Sequence, residues 1–114
     1  MAINADDVLK EMVSAAAAAF GTGWDAVQKY APAEFREMAL QIEDIANNVA
    51  ASELDSRDGY APETGKILLQ MQRRSCEAVL VATTHLTLLA VQKALDAILD
   101  VLKKTFKGVL MSVV

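Results

Sequence analysis

Apolar positions recur at helical spacing along almost the whole chain, interrupted by two short turn-rich stretches. Between Ala5 and Phe20, Val8, Met12 and Ala16 join Leu9, Val13 and Phe20 in one stripe, the three-and-four spacing of an amphipathic helix. Asn4 stands where an N-cap belongs, and Asp6 and Asp7 place negative charge at the positive end of the helix dipole. Gly21 follows as a C-terminal glycine. The five alanines from Ala15 to Ala19 allow another helix to approach closely. A short apolar-sided piece, Thr22 to Tyr30, comes next, with Trp24 predicted to plug the end of a bundle.

A second helix is predicted from Pro32 to Leu54. Phe35, Met38, Ile42, Ile45 and Val49 follow the alternating three-four spacing of a coiled-coil seam. The stretch from Asp55 to Gly65, DSRDGYAPETG, is the clearest loop. Beyond Gly65 no glycine or proline appears until Gly108, so the pattern predicts one long third helix starting near Pro62 or Glu63. Its first half carries Leu68, Met71, Ser75, Ala78, Ala82, His85 and Leu89 on a second seam. Its second half keeps Leu88, Val91, Leu95, Ile98 and Leu102 on one side, with Lys93, Asp96, Asp100, Lys103 and Lys107 on the other. The central AVLVATTHLTLLAV is rich in β-branched residues but has no turn residue, and reads as helix. The tail GVLMSVV docks on the bundle or frays.

A helix over Thr64–Phe106 would be roughly 65 Å long, against about 35 Å for the diameter of a compact chain of this size. Folded back around Gly59, it would set Glu43 and Asp44 near Arg73 and Arg74. The second helix would run out opposite Leu86, leaving an overhang for another copy to cover. The expected fold is therefore all-α: a single domain over residues 1–114, a helical hairpin or bundle of three main helices with a long C-terminal helix, completed by oligomerisation. The expected interface residues are Phe35, Met38, Ile42, Ile45, Leu86, Leu89, Leu95 and Ile98.

Composition sharpens this picture only a little. The chain has 114 residues, 54 % of them apolar, and a net charge of −4. Its one small basic cluster, Lys66, Arg73 and Arg74, argues against a nucleic-acid partner. One cysteine, Cys76, allows neither an internal disulfide nor a zinc site and fits a reducing, cytoplasmic setting. The longest uncharged stretch, Ala78 to Gln92, is fifteen residues, short of the roughly twenty a membrane span needs.

Candidate chemistry is sparse. Gly59 to Lys66, GYAPETGK, superficially looks like a phosphate-binding loop, but five residues separate its glycines and Ile67 follows the lysine, so it reads as a linker. A carboxylate-bridged metal centre needs a Glu-x-x-His pair; Ala82 precedes His85 by three, so only a looser trio of Glu37, Glu77 and His85 is conceivable. Cys76 lacks a general base in sequence reach, and His85 reads as a packed histidine beside Thr83, Thr84 and Thr87. No catalytic residue, metal or cofactor is expected. The reading is a non-enzymatic oligomerisation or interaction protein, a homo-oligomer as assembly or accessory component. The competing reading is a peripheral membrane protein acting through the amphipathic segment KALDAILDVLKKTFKGVLMSVV.

Overall fold

A computed structural model describes residues 3–114. Every regular element among them is helical: α1 (Ala5–Phe20), a 3₁₀ turn (Gly21–Gly23), α2 (Trp24–Val27), α3 (Ala31–Leu54), α4 (Pro62–Thr84), α5 (Leu88–Phe106) and α6 (Leu110–Val113). The four long helices form a bundle 45 × 21 × 19 Å in extent. α3 packs between α1 and α4, and α5 packs on α1 and, more loosely, on α4.

The first half follows its sequence signals closely. Asn4 caps α1 by accepting the Asp6 N–H at 2.7 Å, and Gly21 closes the helix with φ 57°. Glu43 of α3 accepts the free Ala5 N–H at 2.7 Å, so a carboxylate satisfies a helix-start donor from the neighbouring helix. The seam residues Phe35, Met38, Ile42, Ile45 and Val49 are buried, together with Val8 and Met12 of α1. Gly59 turns the chain between α3 and α4 at φ 60°, where a Cβ would lie 2.0 Å from the Asn48 carbonyl oxygen. Only glycine fits so close to that backbone.

The long third helix is where the expectation fails. It stops at Thr84, and α5 folds back alongside α4, so four long helices replace three and the overhang vanishes. The break is made without glycine or proline. His85 takes the left-handed conformation, φ 62° and ψ 14°, as the C-terminal cap of α4. Its N–H still reaches the Val81 carbonyl at 3.2 Å. Thr83 donates to the Val79 carbonyl at 2.8 Å, and the Thr84 hydroxyl accepts the Leu86 N–H at 3.3 Å. Thr87 then caps α5, accepting the Ala90 N–H at 3.1 Å. Threonine side chains thus supply the partners that a turn would otherwise lack.

Leu86 settles against Gly23, where a Cβ would meet its methyls at 3.2–3.3 Å. The tail docks: Leu110 and Val113 of α6 are buried. Gly65, inside α4, makes room for this, because a Cβ there would lie 2.8 Å from Ile45 Cγ2 and 3.2 Å from Val113 Cγ1.

Candidate functional site

The chemistry-bearing side chains gather where α4 faces α5. Arg73 is placed on that side of α4 by its spacing from buried Leu69, Cys76 and Leu80. Its Nε donates to Glu77 Oε1 at 2.9 Å, its Nη2 to the Gln92 carbonyl at 2.9 Å, and its Nη1 meets Asp96 Oδ1 at 2.6 Å. Burial opposes the arginine's charge, but hydrogen bonds and attraction from Glu77 and Asp96 outweigh it and hold its pKa above the usual range. Glu77 is buried, at 7 % exposure, and needs that guanidinium. The cluster is a cross-helix clamp.

The expected pairing of Glu43 and Asp44 with Arg73 and Arg74 is not formed. Gly65 packs against Ile45 and Val49, which sets the α3–α4 register and turns Arg73 away from α3 towards α5.

Beside the clamp lies a cavity of about 240 Å³ lined by Lys66, Leu69, Arg73, Asp96, Leu99 and Lys103, among others. Of its three cations, Arg73 pairs with Asp96, and no serine, threonine, cysteine or histidine is among its lining residues. A wider cleft of about 400 Å³, where α3 and α5 end, is walled mainly by Ala46, Ala50, Leu54, Phe106 and Val109.

The remaining candidates are dispersed. Cys76 is fully buried, and burial, with the nearby carboxylates of Glu34 and Glu77, pushes its thiol up to about 12. It is protonated and inert at neutral pH. Glu37 and His85 are both exposed, while Glu77 is buried against Arg73. Among the described residues no group of three or more His, Cys, Asp or Glu is placed to hold a metal ion. The glycine-flanked stretch before Lys66 is the α3–α4 turn and the first turn of α4. No helix among the described residues is long and apolar enough to cross a membrane. On the C-terminal segment from Lys93 onward, the apolar residues Leu95, Ile98 and Leu102 are buried in the bundle.

Six of the expected interface residues, Phe35, Met38, Ile42, Ile45, Leu95 and Ile98, sit inside this chain's own core. Leu86 is half-buried at Gly23, and Leu89 is 60 % exposed. They do not share a surface.

The surface that the fold does leave open is the second seam. Met71 is 61 % exposed, and Ser75, Ala78, Ala82, His85 and Leu89 are all exposed. Leu68, at its start, is half-buried beside a shallow groove with Gln41, Met71, Gln72 and Ser75. Heptad spacing normally accompanies burial, and here it falls on an exposed face of α4. Burial figures alone reveal scattered apolar residues there; the spacing is what joins them.

No protein family, no curated protein and no solved structure matches this chain.

Proposed function

We propose that this chain is a non-enzymatic helical interaction protein that associates with a second copy of itself through the outer face of α4. The exposed run Met71, Ser75, Ala78, Ala82 carries the reading. Its four-three-four spacing suits a close helix pair, and the small residues within it permit near approach. A symmetric pair would match identical faces, the arrangement of two-fold dimers, which are the commonest homo-oligomers. The groups capable of chemistry have structural roles: Arg73 and Glu77 clamp two helices, Cys76 fills the core, and His85 ends α4. A lone buried thiol is also at home in the reducing cytoplasm.

The test is a charge in the seam. Met71→Glu should lower the self-association constant by about tenfold or more, since a carboxylate buried without a partner is strongly disfavoured. Its helix content by circular dichroism should stay at the wild-type level, because Met71 is exposed within the chain. An unchanged mass by light scattering would remove this face from the interface.

A further inference from the structure

α4, α5 and α6 share the walls of the cavity of about 240 Å³ beside the Arg73 clamp. Its floor is apolar: Leu69, Leu99 and Val113, one from each helix, line it and are at most 5 % exposed. The α6 wall depends on Gly65, where a Cβ would lie 3.2 Å from Val113 Cγ1. A glycine inside a helix weakens it; here it seats the residue that closes one side of the cavity.

The charges around that floor do not cancel. Lys66, Arg73 and Lys103 line the cavity with Asp96 and Asp100, while α6 brings only Val113 and Val114. Arg73 engages Asp96 at 2.6 Å, and Lys104, from outside the lining, engages Asp100 at 2.9 Å. Among the described residues neither Lys66 nor Lys103 has a carboxylate within ion-pairing distance. Two ammonium groups are left over beside an apolar floor, in a chain whose net charge is −4. Gln70 adds an amide donor to the same lining.

We propose that this cavity binds a small organic anion with an apolar body, a medium-chain carboxylate. Its head group sits at Lys66 and Lys103, and its chain lies on Leu69, Leu99 and Val113. An apolar lining with a few polar groups that fix orientation is the usual make-up of a small-molecule site. At roughly 30 Å³ per non-hydrogen atom, the share of a water in the liquid, the cavity of about 240 Å³ holds about eight such atoms. Octanoate matches that size, with its hydrocarbon inside and its carboxylate at the rim. The site is independent of the self-association argued above, because no lining residue belongs to the Met71–Ala82 run.

Titration of the full chain with octanoate, followed by amide NMR shifts, tests the site. A ligand of about ten non-hydrogen atoms should saturate it with a Kd on the order of 1 mM. The largest shifts should fall at Leu69, Leu99 and Val113. Octanamide, equal in size but uncharged, should bind about tenfold more weakly, and so should octanoate to the double variant Lys66→Gln, Lys103→Gln. Lys66 is exposed and Lys103 half-buried, so the double variant should keep the wild-type helix content. Inorganic phosphate, a charge without an apolar body, should leave the three signals in place. Octanamide binding as tightly as octanoate, a double variant that binds like the wild type, or phosphate moving the same signals would overturn the proposal. So would shifts centred on the cleft between Ala50 and Phe106, or no shift at about 10 mM octanoate, well above the expected constant.

Discussion

Arg73 has no spare guanidinium nitrogen: one meets Glu77, one the Gln92 carbonyl and one Asp96. Removing it strands the buried Glu77, so Arg73→Ala should cost about 2–3 kcal/mol in urea unfolding. The double variant Arg73→Met, Glu77→Met should cost less than the single change, because no buried charge is then left alone. If the double variant were the less stable of the two, the clamp would contribute more than the removal of a stranded carboxylate explains. Cys76 offers a pH test. Its thiol ordinarily ionises near 9 but is raised to about 12 in the fold. Below the ordinary value both folded and unfolded chains keep the proton, and the stability is fully present. Above it the unfolded chain ionises first, so stability should fall by up to about 1.4 kcal/mol per pH unit as pH rises from 9 to 12. Cys76→Ala should flatten that slope. A thiol reagent at neutral pH should label native protein only as fast as it unfolds; immediate labelling would place the thiol outside the core.

The helix boundaries differ sharply in how far the sequence exposes them. α1 announces both ends, through Asn4 and Gly21, and α3 buries the seam read from its spacing. The α3–α4 turn is legible because Gly59 can adopt a conformation and a close approach that no other residue can. The α4–α5 turn is not, because its left-handed cap is a histidine and its stabilising partners are threonine hydroxyls. Those residues look the same in a helix interior, and only the competing packing of α5 on α1 decides between turn and continuation. Local propensity favours the rod; tertiary burial favours the fold-back. Gly65 is equally opaque as a packing residue. Its role depends on α6, whose docking no local pattern specifies.

At the scale of the molecule, the buried core accounts for six of the residues expected at an interface, and their apolar character is explained within one chain. What one chain does not explain is the exposed line from Met71 to Leu89. Its spacing is readable from the sequence, but its exposure is not, since that depends on which face α4 turns to the core. There the four-three spacing follows the exposed face of α4 as far as Ala82, and the chain turns at His85. The proposed pairing of two copies through the outer face of α4 would cover that line.

Whether two copies associate is read from sedimentation equilibrium of the wild-type chain over a wide concentration range. Pairing of two copies gives a reversible rise from one chain mass to two, with no larger species. A mass that stays at one chain at the highest concentrations would contradict it.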